Sequence, residues 1–97
     1  MSTNRRSFEF RRRIDNFVYR YNPCETFQGQ LAWKREDIDI WVTIVNGRGW
    51  VCVDEKLEIL GIPWKVAIAE QDSSTPPAGI WVSRKGDKSY VYELVYI

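Results

Sequence analysis

The chain has no histidine, and it has only two cysteines, Cys24 and Cys52, among its 97 residues. Without histidine it can build neither a His-based catalytic triad nor the Cys/His ligand sets of familiar zinc sites. Two cysteines do not make a disulfide framework, so we expect two ordinary thiols in a reducing compartment. A glycine-rich phosphate loop is also missing. We therefore expect no metal and no cofactor.

Long apolar runs are missing as well. No stretch approaches the roughly 20 apolar residues that are needed to cross a bilayer. The first residues are polar and Arg-rich, unlike the apolar core of a secretory leader. We expect a small, soluble, cytoplasmic protein with no membrane partner. Because the length is typical of one domain and 44% of the residues are hydrophobic, residues 1–97 are predicted to form a single domain.

The N-terminal segment has a helical pattern of apolar residues. Its large apolar side chains recur three or four positions apart, at Phe10, Ile14, Phe17, Val18 and Tyr21. This spacing is typical of an amphipathic helix. The Asn-Pro pair at positions 22–23 favours an end to the helix, because a residue before proline avoids the helical conformation. The pattern predicts a helix over residues 7–21, preceded by a flexible basic arm at residues 1–6.

After the proline the period changes to two, which is typical of strands. Strands are predicted over residues 27–35, 38–45, 50–56 and 64–70, followed by a hairpin of residues 80–84 and 89–97. Residues 57–63 fit either a helical turn or a strand. Residues 71–79, with two prolines and several small polar residues, are predicted to form a mobile loop.

The predicted fold class is therefore α+β. The helix should pack on a five- to six-stranded antiparallel sheet or partly open barrel. The sheet face that it would cover carries Ile38, Ile40, Val42, Ile44, Val51 and Val53.

Charge is unevenly distributed along the chain. Residues 1–22 carry six arginines against Glu9 and Asp15, a net +4, whereas residues 23–97 carry eight basic and eleven acidic side chains, a net −3. A basic helix on a mildly acidic body favours an anionic partner. The alternative is a solvated face that pairs with acids of its own domain. The candidate contact residues of this segment are Arg5, Arg12, Arg13 and Arg20.

One hairpin carries a possible catalytic arrangement. If the turn at residues 46–49 places Val45 opposite Trp50, then Asp39 faces Lys56 and Trp41 faces Asp54. An acid followed by Asp-x-Lys on a hydrophobic strand resembles the catalytic hairpin of the restriction-endonuclease-like nucleases. That resemblance spans residues 7–56.

The resemblance implies a metal-dependent nuclease in which Asp39 and Asp54 hold Mg²⁺ and Lys56 positions the attacking water. The alternative is a cross-strand ion pair between Asp39 and Lys56 on a solvated face.

Aromatic residues provide the remaining candidate surface. The same register places Trp41 and Trp50 together on the sheet face that the helix would leave uncovered. Either the C-terminal hairpin covers these rings or a partner does, since exposed aromatic rings beside cations suit both stacked bases and protein hot spots.

The sequence therefore favours a non-enzymatic binding module, such as an accessory, adaptor or inhibitor protein. The contact residues would be Arg5, Arg12, Arg13, Arg20, Trp41 and Trp50. A protein partner is favoured because the β-rich body is acidic; nucleic acid bound by the basic helix is the alternative, and a homodimer is compatible with the sequence. The alternative function is the metal-dependent nuclease.

Overall fold

The chain forms a closed antiparallel β-barrel, in a computed structural model that describes residues 5–27, 29–85 and 87–97. Within these residues there are eight strands, one short 3-10 helix at Ile68–Glu70, and no α-helix. No helix among them is long and apolar enough to cross a membrane. The strands are β1 (Phe8–Arg12), β2 (Val18–Phe27), β3 (Gln30–Arg35), β4 (Ile40–Val45), β5 (Gly49–Asp54), β6 (Ile59–Pro63), β7 (Gly79–Lys85) and β8 (Lys88–Tyr96).

Each strand pairs with the next one along the chain, and β1 closes the barrel by pairing with β8. In this closing ladder Phe8 lies opposite Tyr96, and Phe10 lies opposite Leu94. Closure removes the two exposed edges that an open sheet would leave. The predicted α+β class is therefore wrong, and the fold is all-β.

The predicted helix over residues 7–21 is instead the hairpin of β1 and β2. Phe8 and Phe10 of β1 and Tyr21 of β2 point into the barrel. The chain turns between the strands at Asn16, whose φ of 62° lies in the left-handed region that asparagine tolerates. The apolar residues of the predicted helix therefore do not form one buried surface: Phe10 and Tyr21 are buried, whereas Ile14 is 79% exposed and Phe17 is 57% exposed.

The barrel interior is filled mainly by aromatic side chains. They come from alternate positions of the strands, as the twofold period of a strand requires. The buried residues that form the core cluster are Phe8, Phe10, Tyr21, Trp33, Val42, Trp50, Cys52, Trp81 and Leu94.

Several strand predictions are close to the structure, but one predicted strand is absent and one predicted register is wrong. The C-terminal hairpin is confirmed as β7 and β8, with Trp81 opposite Tyr92. The ambiguous segment 57–63 contains strand β6. Residues 64–70, predicted as a strand, contain only the 3-10 helix. The predicted register of the hairpin around residue 47 is also wrong, because Val45 lies opposite Gly49.

Candidate binding surface at the upper end of the barrel

The two ends of the barrel differ. We call the lower end the one that carries the long segment 64–78, and the upper end the one that carries loops 13–17, 36–39 and 55–58. The lower end is covered. Trp50 and Trp81 each donate their indole Nε1–H to a backbone carbonyl of the lower segment, at 2.6 and 2.9 Å. The Tyr96 hydroxyl donates to a third carbonyl of that segment.

The loops of the upper end expose large apolar side chains. Ile14 and Phe17 lie in the first loop, Ile38 in the second and Leu57 in the third. Val18 and Ile59, which begin β2 and β6, are also exposed beside these loops. Six of the eleven exposed large hydrophobic residues in the described chain therefore lie at the upper end.

An arginine held by aromatic rings lies at the base of the first loop. Arg12 donates from Nε and Nη2 to the carboxylate of Asp15, at 2.8 and 2.7 Å. Its guanidinium carbon lies 4.9 Å from the ring centroids of both Phe17 and Tyr90, close enough for cation–π attraction. The hydrogen bond from Arg12 lowers the pKa of Asp15, so this carboxylate is ionised at neutral pH.

A second arginine lies beside the first. Arg35, the last residue of β3, donates from Nε and Nη2 to Asp37, at 2.6 and 3.0 Å. Its guanidinium carbon lies 3.8 Å from the ring centroid of Tyr19, and Arg12 approaches the same ring at 5.7 Å. The ring of Tyr19 therefore lies within cation–π distance of two guanidinium groups at the upper end.

A cavity of about 70 Å³ lies inside the barrel beneath these arginines. At its floor the hydroxyl of Tyr21 lies 3.7 Å from Sγ of Cys52. Burial raises the pKa of Cys52 to about 11 and also raises that of Tyr21, so both groups are neutral at pH 7. The cavity is lined by Phe10, Tyr19, Tyr21, Arg35, Ile40, Cys52, Leu60, Gly61, Trp81, Val82, Ser83 and Tyr92.

The predicted basic contact residues do not form one surface. Arg5 donates to the backbone carbonyl of Ala32 at 3.1 Å, and its guanidinium carbon lies 5.0 Å from the ring centroid of Trp33. Arg20 projects outward and lies 3.7 Å from the carboxylate of Glu36. Arg13 is exposed at the start of the first loop. Arg12 and Arg13 therefore lie at the first upper loop and Arg20 lies beside the second, whereas Arg5 lies against Trp33.

The two predicted tryptophans lie on opposite faces of the sheet. Trp50 is fully buried inside the barrel. Trp41 lies outside, partly exposed, with its ring stacked 4.2 Å from that of Phe27. The predicted common face is therefore wrong: with Val45 opposite Gly49, a shift of one residue moves Trp50 to the interior.

The acid–lysine arrangement is also changed by this register. Asp54 lies opposite Ile40, not Trp41. Its carboxylate accepts the backbone N–H groups of Lys56 and Glu58, at 2.9 and 3.0 Å, which stabilises the turn after β5. Asp39 lies outside the strand and pairs with Lys34 at 3.5 Å. Over the described residues, no group of three or more His, Cys, Asp or Glu side chains is placed to hold a metal ion.

The residues that do converge were missed by the sequence reasoning. Tyr19, Arg35 and Tyr92 line the cavity from β2, β3 and β8. A signal for β2 was present, because aromatic and polar residues alternate through the sequence YRYN at 19–22. The helical spacing of the apolar residues led to a helix being predicted there instead.

Comparisons with protein-family models, with curated proteins and with solved structures find no match for this chain.

Proposed function

We propose that the protein is a non-enzymatic binding module that recognises a protein partner with the upper end of its barrel. The observation that carries this proposal is the apolar character of three neighbouring loops. Ile14, Phe17 and Leu57 expose between 46% and 79% of their surface. Single exposed apolar residues are common, but their concentration at one end of a small domain is typical of an interaction site.

The Arg12 cluster supports the same surface. Arginine and aromatic residues are enriched in the centre of protein interfaces. Aromatic rings bury a large area with few rotatable bonds, and the planar guanidinium offers several hydrogen-bond donors. Arg12 is already held by Asp15 and by the rings around it. A partner that covers Phe17 would therefore lose little side-chain entropy in ordering this cluster.

The pairing of the N-terminal arginines favours protein over nucleic acid. Arg11, Arg12 and Arg20 are each within 4 Å of a carboxylate of the same chain. A phosphate backbone would have to compete with those carboxylates at each position. Three of the six arginines in this segment are thus already paired, which reduces the free positive charge that drives salt-sensitive nucleic-acid binding.

Affinity capture with matched variants tests the proposal. The upper-end variant carries Ile14→Ser, Phe17→Ser and Leu57→Ser. The control carries Ile68→Ser and Ile97→Ser, two apolar residues at the lower end that are 55% and 40% exposed. Both variants should keep the β-rich circular dichroism spectrum, because every substituted residue is exposed.

We expect the wild type and the control to capture the same protein from a lysate of the source cells. The upper-end variant should bind that protein, once purified, at least tenfold more weakly. Equal affinity of all three would contradict the proposal. Capture of random-sequence nucleic acid, with affinity that falls steeply as salt rises and is unchanged in the upper-end variant, would support the nucleic-acid alternative instead.

A further inference from the structure

The outer faces of β6, β7 and β8 carry a row of apolar side chains. Ile62, Val82 and Val91 lie directly opposite one another across the three strands. Because Trp81, the neighbour of Val82, points into the core, this row lies on the outside of the barrel. Ile62 is 44% exposed and Val91 is 42% exposed, and Trp64, which follows β6, is 51% exposed. These side chains are therefore accessible to a ligand.

An outer groove runs along this row. Its volume is about 390 Å³, and its lining includes Ile62, Trp64, Val82 and Arg84. The groove has three levels along the strands. At the lowest level the backbone N–H of Trp64 donates to the carbonyl of Ile80 at 2.9 Å. Ile62 and Val82 face each other at the middle level, and Arg84 lies at the upper level. Successive levels are two residues of β7 apart, about 6.6 Å.

Cations lie at the two ends of the outer groove. Arg84 lies at its upper end, and the ammonium of Lys65 lies 5.9 Å from the ring centroid of Trp64 at its lower end. Both cations are exposed, and among the described side chains neither has a carboxylate within 4 Å. On the neighbouring strand β8, the carboxylate-bearing Glu93 lies opposite Arg11 of β1. An apolar floor with positive charge at both ends suits a ligand that is both apolar and anionic.

The dimensions of the outer groove favour an extended chain over a helix. The path from the level of Trp64 to that of Arg84 spans four strand residues, about 13 Å. A volume of about 390 Å³ over this length gives a mean cross-section of roughly 30 Å², whereas a helix about 10 Å across occupies roughly 80 Å². An extended peptide rises about 3.3 Å per residue and turns every second side chain to one face. Its alternate side chains therefore match the three levels.

We infer that the outer groove binds an extended segment of a partner protein in which two apolar residues and one acidic residue occupy alternate positions. The apolar side chains lie against Trp64 and against Ile62 and Val82, and the carboxylate lies beside Arg84. Burial of the apolar side chains supplies the affinity, and the ion pair supplies the preference for an acidic end. This site lies on the side of the barrel, apart from the upper-end loops, and does not rest on the proposed function.

Charge and shape argue against two other occupants of this wall. In an isologous dimer the wall meets a second copy of itself, so Arg84 and Lys65 would meet the same two cations. An anionic lipid surface matches the charge, but a membrane takes up side chains that protrude, whereas Ile62 and Val82 line a depression.

Peptides of this pattern test the inference directly. The acetylated and amidated peptide Ser-Asp-Ser-Leu-Ser-Leu-Ser and its reverse are titrated into the protein. The indole N–H signal of Trp64 is followed by NMR, with that of the buried Trp50 as the reference. We expect one of the two directions to bind at up to millimolar concentration and to shift the Trp64 signal alone. The scrambled peptide Ser-Ser-Asp-Leu-Leu-Ser-Ser should bind at least fivefold more weakly, because its side chains cannot meet the three levels at once.

Replacing the peptide's Asp by Asn measures the contribution of the charge. This change should weaken binding about two- to fivefold, the size expected for an exposed ion pair. Arg84→Met should remove the difference between the two peptides, whereas Arg48→Met, in the turn before β5, should keep it.

Substitutions in the apolar floor measure the rest of the affinity. Ile62→Asp should weaken the Asp peptide at least tenfold by placing a charge in the groove. Ile62→Thr, which keeps a β-branched side chain in the strand, should weaken it in the same direction. Ile97→Asp, at 40% exposure against 44% for Ile62, should leave the affinity unchanged.

The inference would be overturned if neither direction of the peptide shifted the Trp64 signal, or if the scrambled peptide bound as tightly. A Trp64 signal that shifted with protein concentration alone, and no longer did so in Ile62→Asp, would assign the wall to a second copy instead. Binding to vesicles of phosphatidylcholine and phosphatidylserine that Ile62→Asp removed, without any binding of the peptides, would assign it to a membrane.

Discussion

Two phenylalanines that a helix would bury together are separated by the barrel. Phe10 is 5% exposed, and its ring lies 5.1 Å from the rings of both Tyr21 and Trp81. Phe17 is 57% exposed and contacts mainly Arg12 and Tyr19. Replacing each by alanine therefore tests the fold with one pair of matched substitutions.

The expected costs differ severalfold. Phe10→Ala removes a buried ring and leaves a cavity among rigid aromatic neighbours, which costs about 3–5 kcal/mol. That is a large part of the roughly 5–15 kcal/mol that stabilises a domain. Phe17→Ala loses an exposed ring and a cation–π contact, and should cost at most about 1 kcal/mol.

Urea unfolding followed by tryptophan fluorescence measures both free-energy costs, and thermal unfolding followed by the same signal measures the shifts in Tm. At roughly 4–8 °C per kcal/mol for a domain of this size, Phe10→Ala should lower Tm by about 12 °C or more. Phe17→Ala should lower it by less than about 8 °C. Equal destabilisation by the two substitutions would refute the barrel assignment of residues 8–21, because an amphipathic helix buries both rings.

Two further predictions follow from the interior of the barrel. Gly49→Ala should destabilise the protein by about 1–2 kcal/mol more than Gly47→Ala. Both glycines have positive φ, but only at Gly49 would the added Cβ meet a neighbouring side chain, that of Gln71. The urea midpoints of the two variants measure the difference. Because burial raises the folded pKa of Cys52 from 9.0 to about 11, the unfolded chain releases this proton first, so the free energy of unfolding should fall between pH 9 and pH 11. The fall should be smaller in Cys52→Ala; an identical pH profile would contradict the burial of the thiol.

Local patterns were sufficient to predict the C-terminal hairpin of the sheet. Alternation through β7 and β8 and a short polar turn between them allow few other structures. The N-terminal segment was different, because Phe10, Phe17 and Tyr21 satisfy a helical spacing while Phe8, Phe10, Tyr19 and Tyr21 satisfy a strand spacing. Barrel closure decided between them, since β1 pairs with β8, 80 or more residues away. The spacing of neighbouring residues in the sequence does not indicate that β1 and β8 pair.

The positions of the predicted contact residues Trp41 and Trp50, and of Asp54, depend on the register of the β4–β5 hairpin. The turn after β4 uses three residues, and Gly49, with a φ of 77°, already lies opposite Val45. Assuming one more turn residue exchanges the two faces of β5. With that extra turn residue, the predicted register placed Trp50 on the same face as Trp41 and placed Asp54 opposite Trp41, whereas Asp54 lies opposite Ile40. The cavity residues come from different strands, so only the closed barrel brings them together.

The central claim is that β1 pairs with β8 and thereby closes the barrel. Backbone NMR spectroscopy tests it most directly, through nuclear Overhauser effects between the two strands. We predict cross-strand contacts between Phe8 and Tyr96 and between Phe10 and Leu94, in the antiparallel pattern of the ladder. Helical contacts between residues three positions apart across 7–21, without any contact to residues 92–96, would contradict it.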